Sequence, residues 1–134
     1  MPRTASCACG ALSITLASPP RYVSLCNCLQ CQRRTGSAFG LSSFFSAESA
    51  SISGDHRTYI RSAQHGRTVE QHFCPSCGTT VFWYGSMAPG MVAVAVGCFA
   101  EPTFPAPTLA AWCESKHTWL SFPSTIKTLD QQKA

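Results

Sequence analysis

Charge is scarce in this 134-residue chain, with only 12% of residues being Asp, Glu, Lys or Arg, about half the usual share. Ten basic residues against six acidic ones leave a net charge of +4. The cations, Arg3, Arg21, Arg33, Arg34, Arg57, Arg61, Arg67, Lys116, Lys127 and Lys133, are scattered rather than gathered into a basic run, which argues against a nucleic-acid partner. No uninterrupted apolar stretch approaches the roughly 18–20 residues of a membrane span, so no membrane partner is expected. Long 3.6-residue periodicity and internal repeats are missing as well. The apolar share of 45% excludes wholesale disorder, and the length suits a single domain over residues 1–134. With so little charge to cover the surface, apolar area is expected to meet a partner or a second copy of the chain in a homodimer.

What the chain does have is turns and short strands. Gly10, Pro19-Pro20, Gly36, Gly54-Asp55, Gly66, Gly78, Pro89-Gly90 and Gly97 punctuate it. Between them the spacing predicts strands near 11–17, 21–26, 40–46, 50–53, 57–62, 67–73, 79–84 and 91–97. The last of these, MVAVAVG, reads as a central strand. Only residues 29–35, LQCQRRT, suggest a short helix, ending before Gly36. The Pro-rich stretch 102–107 reads as an extended connection, and the final DQQKA as frayed. The class is mainly β.

Nine cysteines dominate the chemistry. The number is odd, so they cannot all pair within the chain. Leu12, Ile14 and Leu16 alternate with Ser13 and Thr15, the pattern of a strand and not of a signal-peptide core. A reducing, cytoplasmic setting with free thiols is therefore expected. Clustered thiols in such a setting point to metal. Cys7-Ala8-Cys9-Gly10 and Cys74-Pro75-Ser76-Cys77-Gly78 each offer two sulfurs followed by a glycine that lets the backbone turn. Two plus two satisfies tetrahedral zinc and predicts a structural site on Cys7, Cys9, Cys74 and Cys77. Cys26, Cys28 and Cys31 remain. Three ligands with one open position is the pattern of catalytic zinc. The same three could instead be completed by Cys98, Cys113 or one of His56, His65, His72 and His117, or bind nothing and oxidise. With two zinc ions and seven thiolates counted, the net charge falls to +1, which weakens the nucleic-acid reading further. Cys98 and Cys113 are otherwise expected as small buried hydrophobes.

The order Cys-x-Cys-Gly, then Cys-x-Cys-x-x-Cys with Arg34-Thr35-Gly36-Ser37, then Phe73-Cys-x-x-Cys-Gly-Thr79, resembles the glutathione-dependent formaldehyde-activating enzyme family over about residues 5–122. Centromere protein V carries a related domain. The resemblance implies a β-tent fold of stacked antiparallel sheets around a structural zinc on Cys7, Cys9, Cys74 and Cys77. It implies a second, catalytic and labile zinc on Cys26, Cys28 and Cys31. It also implies a carbon–sulfur lyase of the S-(hydroxymethyl)glutathione synthase type, joining glutathione or another small thiol to formaldehyde or a small aldehyde. The alternative is a non-catalytic zinc module that binds a thiol or a protein. Many members have His where this chain has Asn27, and Arg where it has Gln32. Glutathione's two carboxylates call for cations, and Arg33, Arg34 and Lys116 are the candidates. Phe39, Phe82, Trp83 and Trp119 are candidate cleft walls, and His117 is a candidate proton shuttle.

Overall fold

The structure, a computed structural model, describes residues 2–131, so of the terminal DQQKA only Asp130 and Gln131 are described. Among the described residues, eleven strands fall into two sheets, of three and eight strands, with one α-helix. The mainly β expectation holds. The chain divides into two compact units, Met1–Arg21 with Ser43–Phe104, and Tyr22–Ser42 with Pro105–Ala134.

In the first unit, β1 (Arg3–Ser6), β2 (Ser13–Leu16) and β5 (Ala50–Ser53) make an antiparallel sheet, with Ala5 opposite Ile14 and Ile14 opposite Ile52. Period-two alternation sends Ile14 and Leu16 to the buried face and Ser13 and Thr15 to the other. A meander follows through β6 (Arg57–Ser62), β7 (Thr68–Phe73), β8 (Thr80–Gly85) and β9 (Met91–Ala95). Val92, Ala93 and Val94 are consecutive and all buried, as in a strand covered on both faces. Phe45, Leu12, Val81 and Phe82 complete this core, each large side chain contributing about 1.5–3 kcal/mol of burial. Phe82 is therefore a core ring, and Trp83 beside it is buried as well.

In the second unit, β3 (Tyr22–Cys26) leads into α1 (Leu29–Thr35) and then into β4 (Gly40–Ser46), whose last four residues belong to the first unit. Later, β10 (Leu109–Ala111) pairs parallel with β3, and β11 (Lys127–Thr128) pairs parallel with β10. The sheets are thus not antiparallel throughout. Chain that follows the Pro-rich stretch returns to lie alongside β3 in the same direction, a pairing no local pattern encodes. Cys26 sits opposite Ala111 in this register. Among the described residues no helix is long and apolar enough to cross a membrane.

Candidate metal centre

The two knuckles of the first unit close on each other. Cys7 and Cys9 lie in the turn between β1 and β2, and Cys74 and Cys77 in the hairpin between β7 and β8. Their four sulfurs lie within 4.8 Å of one another. The Cys7–Cys9 and Cys9–Cys74 sulfur separations are both 3.7 Å. Zinc–sulfur bonds of about 2.3 Å in a tetrahedron place sulfurs about 3.8 Å apart, whereas a disulfide would bring them to about 2.0 Å. All nine cysteines are free thiols. The donor set fits a zinc-like ion.

Backbone geometry is committed to the same purpose. Gly10 and Gly78 adopt φ of 83° and 80°, which turns each knuckle so that amides face sulfur. The Leu12 N–H donates to Cys7 Sγ at 3.2 Å, and the Ser76 N–H to Cys74 Sγ at 3.4 Å. Thr79 bridges the knuckles: its Oγ1 accepts from the Ala8 N–H at 3.1 Å and lies 3.3 Å from Cys77 Sγ. The Thr79 side-chain and backbone hydrogen bonds hold the Cys77 thiol down at about 5. Burial opposes ionisation of Cys7, but the Leu12 amide and Cys9 outweigh it and lower that thiol too. The Ala11 amide favours a Cys9 thiolate, yet the proton shared with Cys7, Cys74 and Cys77 pushes it up to about 11. Crowded sulfurs retain a proton that a cation would replace.

The second unit gathers the other three. Cys26 ends β3, Cys28 is the N-cap of α1 with its sulfur accepting from the Cys31 N–H at 3.3 Å, and Cys31 lies in the first turn. The cap role usually taken by Ser or Asp aims Cys28 back over the helix start. The three sulfurs lie within 4.8 Å of one another, all half-buried. No fourth Cys, His, Asp or Glu among the described residues joins this group. Cys98 and Cys113 stand outside it and are half-buried rather than fully buried, since Cys113 sits against polar atoms of Ala110 and Asn27. Hydrogen bonding with Cys28 and Cys31, then burial, raises the Cys26 thiol. Cys31 gains from its bond to Cys26, but Cys28 and burial outweigh that, and the net shift is upward.

Arg34 serves this trio. Its charge draws the Cys31 thiol down, and its guanidinium packs where Gly40 has no side chain. A Cβ there would stand 2.6 Å from Arg34 Nη2 and 3.4 Å from Cys31 Cβ. Gly40→Ala is expected to keep the fold, because the far end of an arginine can swing aside. It is expected to weaken metal binding at the trio about 10-fold, the equivalent of one thiol pKa unit. Chelator competition reads this, with the quartet as the unchanged internal reference.

The other face of α1 opens on a cleft of about 540 Å³, lined by Leu29, Gln32, Arg33, residues 36–38, His117 and Trp119. Of the four residues expected to bind substrate, Arg33 and Trp119 line it and Arg34 and Lys116 do not. Lys116 Nζ instead donates to the Leu120 carbonyl at 2.9 Å. Phe39, Phe82 and Trp83 do not line it either. The cysteine trio is not part of the lining, although Leu29 follows Cys28 and Gln32 follows Cys31 in sequence. Leu29, Gln32, Arg33 and Gly36 share one helical stripe at i, i+3, i+4 and i+7, a phase that turns Cys31 and Arg34 elsewhere. That spacing could have separated Arg33 from Arg34 in advance.

A polar network ties the trio loop to the cleft wall. Asn27 is fully buried, and its Nδ2 donates to Ala111 O at 2.9 Å. Asn27 O accepts from Gln32 Nε2 and from Ser115 Oγ, both at 2.9 Å. Gln32 Nε2 also reaches Ser115 O at 3.0 Å, and Gln32 Oε1 lies 3.0 Å from His117 Nε2. Trp112, at φ 56° and ψ 41°, turns the chain into this segment. Ser115 carried no sequence signal for this role, since its contacts with Gln32 and Asn27 span 83 and 88 residues.

Residues 2–115 match the family model described as glutathione-dependent formaldehyde-activating enzyme. A crystal structure of a Rhodobacter sphaeroides protein, a structural genomics target, is similar in fold at a TM-score of 0.55 and 20% identity, over 71% of this chain and 85% of that one. No curated protein sequence matches significantly.

Proposed function

The chain belongs to the glutathione-dependent formaldehyde-activating enzyme family, and from that premise we propose that it is a zinc-dependent carbon–sulfur lyase of the S-(hydroxymethyl)glutathione synthase type. It would join a thiol such as glutathione to formaldehyde or another small aldehyde. The observation that carries the reading is a half-buried group of three cysteines, without a fourth ligand among the described residues, on a helix whose other face lines a cleft. Cys26, Cys28 and Cys31 are the residues to hold the second zinc, while Cys7, Cys9, Cys74 and Cys77 hold the structural one. Zinc at the trio would acidify an incoming thiol and polarise an aldehyde oxygen.

The protein's own side chains supply the rest. Arg33, exposed in the cleft, offers a planar fork for a glutathione carboxylate. Trp119, 70% exposed, gives an apolar wall for the peptide backbone of the thiol. Arg34 offsets the excess negative charge of three thiolates around a divalent ion. Holding thiol and aldehyde together supplies proximity for an addition that is already facile unaided. The free thiols fit a reducing, cytoplasmic setting.

Exchange NMR of glutathione and formaldehyde, with and without the zinc-loaded chain, tests the reading. The parent is expected to speed hemithioacetal exchange, and Cys28→Ala to return it to the buffer rate with melting temperature and quartet zinc retained. Equal rates for parent, variant and buffer would leave only the non-catalytic zinc module.

A further inference from the structure

We infer that β6 is a dimer edge, on which a second copy of this chain adds its own β6 antiparallel across a two-fold axis at Ile60, a feature separate from the thiol–aldehyde chemistry. The eight-stranded sheet ends in β11, of two residues, and in β6, of six. Pairing with β7 uses one side of β6 only. The Ala63 N–H donates to Arg67 O at 2.7 Å, in a register that sets Ser62 opposite Thr68. Alternation along an antiparallel ladder then turns the backbone of Arg57, Tyr59 and Arg61 toward β7, and that of Thr58, Ile60 and Ser62 outward. The Ser86 N–H donates to Thr68 O at 3.0 Å from the far side of β7, which fixes the same phase. Among the described residues no hydrogen bond reaches the three outward N–H and C=O pairs. A strand edge with bare amides is a template for another strand. Tyr59 and Ile60 point to opposite faces, yet are 56% and 61% exposed, so the strand lacks cover on either face as well as at its side.

The order of residues along this edge selects a copy of itself, in one register. With the partner's Ile60 opposite Ile60, Thr58 faces the partner's Ser62, and each of the three outward residues exchanges both backbone bonds with its counterpart. The pairs between them bring side chains closer. There Tyr59 stands opposite the partner's Arg61, and Arg57 opposite the partner's Ala63. A ring against a guanidinium is a favourable cross-strand pair, and two-fold symmetry forms it twice. Arg61 Nε donates to Gln71 Oε1 at 3.3 Å, which holds that guanidinium along the sheet. A slip of two residues one way sets Arg57 opposite the partner's Arg61. A slip the other way sets Arg61 opposite the partner's Arg61. Like charges directly opposite are destabilising, so the two arginines block both neighbouring registers and leave the one centred on Ile60. An edge guarded against every strand would carry its charge at the centre, where this one carries isoleucine.

The test uses the full-length, zinc-loaded chain. Sedimentation equilibrium is expected to approach twice the 14.4 kDa chain mass as concentration rises. Amide exchange at Thr58, Ile60 and Ser62 is expected to slow with concentration, while Tyr59 and Arg61, already bonded to β7, stay protected throughout. Ile60→Lys, at an exposed position, is expected to raise the dissociation constant at least about 10-fold, with circular dichroism and zinc content unchanged. Changes at Tyr59 read the register. Tyr59→Glu, set against the partner's Arg61, is expected to tighten the dimer at low salt, and Tyr59→Lys to weaken it. A chain that stays at 14.4 kDa up to about 1 mM overturns the inference and leaves the edge to a strand of another protein. So does a dimer that Ile60→Lys leaves as tight as the parent, or one in which Tyr59→Glu and Tyr59→Lys act alike. The lyase reading stands or falls separately, on exchange NMR.

Discussion

Cys74→Ser is expected to unfold the first unit at temperatures where the parent is fully folded, and a strong chelator is expected to do the same to the parent. Cys74 is completely buried and stands 3.7 Å from Cys9, some 65 residues away in sequence. Serine fills the space but gives a neutral hydroxyl where the quartet needs a thiolate. In small zinc domains, metal binding contributes on the order of 10 kcal/mol to folding, and a typical domain has a net stability of only about 5–15 kcal/mol. The first unit has other sources of stability, including the Phe45, Phe99 and Phe104 ring cluster with centroids 4.7–6.1 Å apart. Those contacts help to balance chain entropy and leave little surplus. Thermal melts followed by circular dichroism, paired with elemental zinc analysis, check this. A Cys74→Ser protein that melts within a few degrees of the parent would show that the quartet is dispensable. Cys28→Ala is the contrast, because the trio is half-buried and its loop is also held by the Asn27, Gln32 and Ser115 bonds.

The same division, between what sulfur spacing encodes and what distant backbone supplies, separates what was legible in the sequence from what was not. The strands β2 to β9 could be read because apolar residues alternate or run between turn residues, and α1 because the run LQCQRRT is closed by Gly36. The first strand, RTAS, escaped because only Ala5 is buried. The tenth and eleventh escaped because LAA and KT have too little pattern to announce a strand, and their parallel pairing depends on residues far away. The two cysteine groups were legible because ligands close in sequence must converge. Arg33 and Arg34, read as two adjacent cations, were both assigned to substrate, although the phase of the short helix distinguishes them. About 100° of helical rotation separates them, sending one to the cleft and the other across Gly40. Gln32 stood out only as a departure from the family's usual arginine. Its use is clear once Ser115 and His117 are beside it: an arginine could donate to both carbonyls but could not accept from the histidine.

Lowering the pH is expected to empty the trio well before the quartet. Metal competes with protons for thiolates, so each proton displaced per ion adds a factor of about 10 in affinity per pH unit. At the trio, Cys26 and Cys31 are both raised above the ordinary thiol value of 9.0. Near neutrality they hold their protons, and affinity should change by as much as about 1000-fold per pH unit when all three protons are displaced. In the quartet, Cys77 is held at about 5 and Cys7 is also lowered. Fewer protons need leave between pH 6 and 8, and the dependence is shallower. For the metal-free trio the linkage has the opposite sense. A raised folded value favours the protonated fold below the ordinary thiol value, and that stabilisation is lost as pH rises through the folded value. Metal thus reverses which end of the pH scale stabilises the loop. Calorimetry in buffers of different ionisation enthalpy counts the protons, using Cys28→Ala to isolate the quartet. Release of fewer than about one proton per ion at the trio, or loss of quartet zinc first on acidification, would contradict the assignment of a closed site already ionised at Cys7 and Cys77, with Cys9 still protonated, and an open, protonated one.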